Sequence, residues 1–552
     1  MRSLIKLSSA IITASLLSAC GGDNSSSDSS SRTNAASSPE SQASAGKIKN
    51  VIMMIGDGMG PQQVGLLQDF AAHSKTDIYK NRETALELFA NSGQVAFSST
   101  TPVGGLVVDS ACSATQLATG KPALSEVVGL DIEGNSTETI LEMAKAAGKS
   151  TGLISDTRIT HATPAAFASH QAHRSMENEI AVDMLENNVD VMLGGGLRYW
   201  IPQGSSSTST ELVDLINEPT VKIKSKRNDD RNLLTQAQTA GYELAFNADQ
   251  LDAVEGGKVL GLFSYSAMLD GISYTACKKA DSCIQPSLAD MTTKALDILS
   301  KDEDGFFLMI EGGQIDWAAH NNDAGDMLHQ LLKFDESIQA VYDWVADRND
   351  TLVVITADHE TGGFSFSYSR KDIPAADPTI VGDAFVESNR DYKPNFNFAN
   401  PDLLDKLYAQ KKDFYNIWYQ AGGDLADVEP TSVDLLNAIN GNTEFTITQA
   451  DADRILEHEV NEYQEADHKY LAATEFPKVD DFEEFYVYGE EVHLNLIGRA
   501  LAKHQNTVWS TGTHTHTPVQ VIAWGPKEAQ QRFNGLMNHV EVGAQLIEAM
   551  KN

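Results

Sequence analysis

Positive charge is scarce in this chain of 552 residues: 41 Lys and Arg stand against 77 Asp and Glu, giving a formal net charge of −36. Such a surface repels nucleic acid and anionic lipid headgroups, which argues against either as a partner. It suits a protein that uses acidity for solubility, or one that collects cations. Aromatic residues are also few, at 7%, although 41% of residues are apolar. Over this length that is enough for one large domain with a sizeable insertion, or for two or three domains. No repeat with a period of roughly 20–50 residues is present, which argues against a solenoid. No Asp-rich loop has EF-hand spacing, so calcium binding by the acidic stretches lacks a sequence basis. Cysteine numbers only four. Cys277 and Cys283, in CKKADSC, are close enough to staple a local loop if the chain is exported. Cys112, in DSACSAT, has no evident partner and reads as a small buried filler, not a nucleophile.

The fourth cysteine belongs to the N-terminus. Arg2 and Lys6 form a short basic region, and Leu7–Leu17 is mostly apolar but too short to cross a bilayer. Residues 1–19 therefore read as an export signal. LSAC (residues 17–20) resembles the cleavage box of bacterial lipoproteins, in which Cys20 would become the lipidated first residue. Gly21 after it, in place of Asp, implies outer-membrane sorting by the same resemblance. Residues 20–46 are rich in Ser, Ala and Asp and form an expected flexible tether. The expectation is an exported enzyme, anchored to the outer membrane through Cys20 or facing the periplasm or cell surface.

From Lys47 onward short apolar runs alternate with helical patterns, the signature of an α/β fold with a largely parallel central sheet flanked by helices on both faces. Expected strands are 50–55, 150–155, 189–193, 306–310, 351–356 and 518–524, with helices over 138–147 and 288–299. From 366 to 507 the chain is richer in Tyr, Asn, Asp and Glu, with helical patches such as 452–463. It reads as an inserted subdomain between 47–365 and 508–552, the two parts of one α/β domain.

Polar clusters fall at strand ends, where open α/β sheets bind their ligands. IGDGMG sets Asp57 after the first run, and IEGGQIDWAAH sets Glu311, Asp316 and His320 after the fourth. TADHETGG adds Asp358 and His359 after the fifth. Asp316 and His320 are four apart and would share a helix face. A carboxylate beside an imidazole suits Zn²⁺, but one such pair is more often an ordinary surface pair. Four separate clusters, counting THTHT (513–517), change that balance, because paired metal ions are the usual reason for such density. Ser110, in VVDSACSATQLATG, precedes a helical stretch whose N-terminus would attract an anion. The plainer reading of Ser110 is a helix N-cap.

GDGMG, DSACSATQLATG, THATPAAFASHQAHR, EGGQIDWAAH, TADHETGG and GTHTHTPVQVIAWGP together resemble the ordered motifs of the alkaline phosphatase family, over residues 47–365 and 508–552. The resemblance implies a phosphate monoester hydrolase that works through a phosphoserine at Ser110. Arg174 would grip phosphate oxygens and Asp109 would orient it. Asp316, His320 and His514 would hold one Zn²⁺, and Asp57, Asp358 and His359 a second. Asp57, Thr163 and Glu311 would hold Mg²⁺. His514 rather than His516 matches the family spacing to Pro526. Some bacterial members carry Asp and Lys where this chain has His161 and Trp317. The pairing of His161 with Trp317 resembles other bacterial members; His161 would be a direct ligand of the third ion, a neighbour that reaches it through water or a core histidine, and the water-mediated role is the expectation. Family membership would also allow a homodimer. Rival readings are a phosphodiesterase or sulfatase on the same scaffold, or a non-catalytic surface lipoprotein that binds metal or phosphate.

Overall fold

A computed structural model describes residues 47–377, 382–388, 392–425 and 428–551. The export-signal stretch, Cys20 and the Ser-rich tether lie outside the described residues. Eight strands come first: β1 (Asn50–Gly56), β2 (Gln94–Ser99), β3 (Ser150–Arg158), β4 (Val191–Gly195), β5 (Glu243–Ala245), β6 (Val259–Leu262), β7 (Phe306–Gly312) and β8 (Thr351–Ala357). Six short ones follow: β9 (Glu360–Thr361), β10 (Ser365–Phe366), β11 (His458–Val460), β12 (Glu475–Pro477), β13 (Thr507–Val508) and β14 (His514–Thr515). β15 (Val519–Trp524) and β16 (Gly535–Asn538) complete the set.

Ten of these form one sheet in the order β16-β2-β15-β8-β1-β7-β3-β4-β6-β5. Its centre is apolar along the whole strand because both faces are covered. Alternate side chains point to opposite faces. Ile52, Met54, Leu308, Ile310, Val353 and Ile355 join one buried cluster, while Val51, Met53, Ile55, Met309, Leu352 and Val354 join the other. Burying one such side chain contributes about 1.5–3 kcal/mol, so the central strands anchor the fold. On one face lie helices Leu288–Leu299 and Ala324–Val345, on the other Ser110–Thr119, Ala162–Ala168 and His539–Lys551.

Every pairing in this sheet is parallel except those of β15, which is antiparallel to both β8 and β2. The sheet is thus largely parallel, as expected, and β15 is antiparallel for a local reason. β14 already sits at the carboxyl rim, paired with β9, so the chain enters β15 from that rim and must run back.

Phe366 and Thr507 pair across β10 and β13, so the long stretch between them leaves and re-enters the fold at adjacent points. It contains helices Asp402–Tyr408, Phe414–Gln420, Ser432–Asn442, Gln449–Ile455 and Val492–Gln505, and the β11–β12 hairpin. The helical expectation for 452–463 holds only to Ile455; the chain then turns into β11. Leu404, Phe414, Trp418, Ile439, Ile497 and Leu501 share the buried cluster of β1, β7 and β8, so this stretch packs onto the main core. No helix among the described residues is long and apolar enough to cross a membrane. Cys277 and Cys283 are joined in a disulfide.

Candidate active site

Strand register decides where the polar groups meet. Gly56 of β1 is level with Gly312 of β7 and Ala357 of β8, and Ile55 is level with Glu311. The residues that follow, Asp57 and Asp358, therefore emerge side by side at one rim. Ser155, the β3 partner of Glu311, donates a short hydrogen bond to Glu311 Oε2. Gly58 then turns at φ +72°, and a Cβ there would lie 2.8 Å from Asp316 Cα. Only glycine lets β1 and the Gln314–His320 helix approach so closely. That helix puts Asp316 and His320 on one buried face. β14 pairs with β9, setting His514 opposite Thr361 and beside His359.

The first cluster is tight. His320 Nε2 lies 3.4 Å from Asp316 Oδ2 and 3.1 Å from His514 Nε2, while His514 Nε2 is 3.6 Å from Asp316 Oδ1. His320 Nδ1 donates to Gly512 O and His514 Nδ1 to Val108 O, both at 2.7 Å. With those hydrogens committed, two Nε2 lone pairs converge on the same point and require a positive charge between them. Burial opposes a charge on His320, yet the Asp316 carboxylate raises its pKa to about 9. For His514 burial dominates and lowers the pKa to about 4, leaving a neutral ligand-type imidazole. Metal bonds of about 2.0–2.1 Å in a tetrahedral site put ligand atoms about 3.3–3.4 Å apart. The distances 3.1, 3.4 and 3.6 Å bracket that value.

The second cluster centres on His359 Nε2, which is 3.4 Å from Asp57 Oδ1, 3.2 Å from Asp358 Oδ2 and 3.1 Å from Ser110 Oγ. It abuts the first, since the His359 and His514 rings stack with centroids 3.5 Å apart. In a third group, ligand atoms of Asp57, His161 and Glu311 lie within 4.8 Å of one another.

All four carboxylates are buried. Asp57 Oδ1 and Oδ2, Thr163 Oγ1, Glu311 Oε1 and Asp358 Oδ2 have no hydrogen-bond partner among the described residues, and neither has His161 Nδ1. Burial pushes Asp57 well up, helped by Asp358, and raises Glu311 to about 8 and Asp358 to about 7. Leaving such groups unpaired would cost several kcal/mol each, about 1–3 or more per orphan. Bound cations remove that cost, so the donor set fits metal ions.

Asp109, not Ser110, caps the Ser110–Thr119 helix: its side chain accepts from Ala111 N at 2.9 Å. Ser110 is thus the first helical residue, with its hydroxyl turned to His359. The other Asp109 oxygen accepts from Glu126 N at 2.7 Å. Arg174 Nη1 donates to Asp109 Oδ2 at 3.3 Å, and Nη2 lies 3.3 Å from His161 Nε2. Burial and the nearby Arg158 and Arg174 charges hold His161 well below the usual imidazole range. Its ring meets Trp317 edge-on at 5.8 Å. His516 is exposed. Cys112 is a free, buried thiol pushed up to about 12 by burial, an inert filler.

Ser110, Arg174, Trp317 and His514 line one open cleft of about 640 Å³. Its far wall carries Lys469, Tyr470, Tyr488 and Glu491 from the inserted stretch, which sequence reasoning did not connect to the site. The Tyr488 ring lies 5.3 Å from that of His320. Glu491 Oε2 is 3.7 Å from His320 Nδ1, and Asn495 donates a short hydrogen bond to the His320 carbonyl. No spacing signal could have found them, since each makes a single contact across a long sequence gap. Beneath the site, Asp156 accepts from Gly313 N at 2.7 Å and pairs with buried Lys333 at 2.9 Å.

Residues 48–552 match the alkaline phosphatase family. Alkaline phosphatase 3 of Bacillus subtilis is 29% identical over 517 residues, which is 92% of this chain and 89% of that one. Alkaline phosphatase of Escherichia coli is 30% identical over 351 residues, covering 56% and 70% of the two chains. The crystal structure of a cold-active alkaline phosphatase from a psychrophilic Shewanella species is similar at a TM-score of 0.64 and 26% identity, covering 91% of this chain and 99% of that one. Thermus thermophilus alkaline phosphatase attests the fold at a TM-score of 0.69 and 23% identity, with 93% and 94% covered.

Proposed function

The chain belongs to the alkaline phosphatase family and is a phosphatase, and from that premise we propose that it hydrolyses phosphate monoesters through a phosphoserine at Ser110. The observation that carries this reading is the position of Ser110 Oγ, 3.1 Å from the nitrogen on which Asp57 and Asp358 also converge. Asp316, His320 and His514 would hold one Zn²⁺ and Asp57, Asp358 and His359 the other. Asp57, Thr163 and Glu311 would hold Mg²⁺. The grouping of His161 with Asp57 and Glu311 supports direct contact with that third ion over the water-mediated contact expected from sequence. When bound, such ions would favour the ionised serine and the hydrolytic water and offset charge on the phosphoryl oxygens.

The residues do the rest. Arg174, oriented by Asp109, holds two phosphate oxygens and stays with the phosphoryl group as charge builds there. The field at the N-terminus of the Ser110–Thr119 helix favours the same anion. Ser110 Oγ attacks phosphorus; the Oγ–P bond forms, the ester P–O bond breaks, and the alcohol leaves on the opposite side. Water then attacks the phosphoserine, releasing inorganic phosphate and restoring the hydroxyl. The Cys277–Cys283 disulfide supports an extracytoplasmic setting, in line with the export signal read at residues 1–19.

Ser110→Ala tests the proposal. No labelled phosphoenzyme should form from a ³²P monoester, and turnover should fall to background. Undiminished turnover would refute the assignment. Rates on p-nitrophenyl phosphate, its bis ester and its sulfate distinguish monoesterase from diesterase and sulfatase.

A further inference from the structure

Outside the catalytic clusters, one more group of ligand-type side chains converges. Glu429 Oε1 lies 2.9 Å from His458 Nε2 and 3.5 Å from His493 Nε2. These ligand atoms all lie within 4.8 Å of one another. His493 is 8% exposed, and its Nε2 has no hydrogen-bond partner among the described residues although it faces this group. Its ring is stacked on Trp418 with centroids 4.7 Å apart, which fixes its direction. His458 and Glu429 are more open, with side chains 30% and 41% exposed, leaving a route in from solvent.

We propose that Glu429, His458 and His493 form a separate zinc site that clips the inserted stretch together. Two imidazoles and one carboxylate suit a borderline ion such as Zn²⁺ and disfavour Ca²⁺ and Mg²⁺, which take oxygen ligands. The separations of 2.9 and 3.5 Å lie on either side of the about 3.3–3.4 Å expected between tetrahedral ligands. The fourth position is open to water.

The ligands come from three different segments. Glu429 lies in the loop before the Ser432–Asn442 helix, His458 opens β11, and His493 sits in the first turn of the Val492–Gln505 helix. That helix is the one whose Glu491 and Asn495 touch His320. An ion here would tie two surface segments to the start of the helix whose N-cap residue, Glu491, lines the cleft. Its role is positioning, since none of the three ligands touches the reacting atoms.

The test uses the full chain in its metal-loaded form. Protein dialysed against micromolar Zn²⁺ is analysed for bound zinc per chain by mass spectrometry, for the unchanged protein, His458→Ala and Glu429→Gln. Each variant should carry one zinc fewer, with turnover on p-nitrophenyl phosphate at saturating substrate retained within a few-fold. Trypsin cleavage within 428–470 should also accelerate in both. Equal zinc counts in all three proteins overturn the proposal. Should His458→Ala lose more than one ion through misfolding, Glu429→Gln, at an exposed side chain, decides alone: one ion lost supports the site, none lost overturns it.

Discussion

Replacing Arg174 tests the phosphate grip most directly. Its guanidinium has five N–H donors. Contacts with Asp109 and His161, both at 3.3 Å, orient it and leave the other donors for a ligand in the cleft. A hydrogen bond between charged groups contributes about 1.5–3 kcal/mol, so a two-pronged grip amounts to about 3–6 kcal/mol. The Arg174 side chain is 23% exposed, and residual water weakens the grip, bringing the expected loss in Arg174→Ala to about 2–4 kcal/mol. At about 1.36 kcal/mol per decade, that is roughly a 30- to 1,000-fold fall in kcat/KM on p-nitrophenyl phosphate. The inhibition constant for inorganic phosphate should rise along with it, because product and substrate share the grip. Arg174→Lys keeps the charge without the fork and should fall between the two.

Asp109 sharpens the test. Asp109→Asn can still cap Ala111 N but loses its charge toward Arg174. It should lower kcat/KM in the unchanged background and add little in Arg174→Ala, since its effect passes through the arginine. Arg174→Ala within about threefold of the unchanged enzyme, with phosphate inhibition unaltered, would sink the assignment.

Two further outcomes follow from ion pairs, one buried and one half-buried. Lys333→Met leaves the Asp156 carboxylate buried with only the Gly313 N–H on Oδ1. This should cost about 3–5 kcal/mol, read as a lower urea midpoint, and adding Asp156→Asn should restore much of it; an unchanged midpoint in Lys333→Met would contradict the pairing. The second pair is His170 and Glu142, 2.9 Å apart. The hydrogen bond to Glu142 raises His170 above 6.5. Burial opposes the charge on Glu142, yet hydrogen bonds from His170, Thr139 N and Asn187 hold it below 4.5. The His170 contribution is complete below pH 6.5 and is lost as pH rises through its higher folded value; the Glu142 contribution is complete above pH 4.5 and is lost on acidification. The difference in Tm between the unchanged protein and His170→Asn should therefore be largest between about pH 4.5 and 6.5 and shrink toward pH 9. A difference that grows with pH would show the sign to be wrong.

What the chain declares about itself follows from how each contact is made. β1, β3, β7 and β8 are buried on both faces, so their apolar runs stop where the rim begins, and the next residues are Asp57, Glu311 and Asp358 or lie close by. Parallel pairing in near-level register then brings those rim residues together. Strands without that double burial, or without that length, were silent. β2 is only partly covered, β5 and β6 are short, and β16 is an edge strand with Leu536 87% exposed. Ser110 was legible as a candidate, but its role as first helical residue depends on Asp109 taking the cap, which competing N-cap residues side by side cannot settle in one dimension. Hidden altogether was the cleft wall. Tyr488 and Glu491, which precede the Val492–Gln505 helix, and Asn495, within it, reach His320 by one contact each, and no periodicity records such single contacts. Glu429, His458 and His493 are hidden for the same reason, since no periodic pattern links three single residues in separate segments. The catalytic rim is a property of the sheet and is written into its central strands β1, β7 and β8, whereas what surrounds the substrate is assembled from isolated side chains. Selectivity among monoesters should therefore respond to changes in residues 469–491 while the chemistry at Ser110 persists.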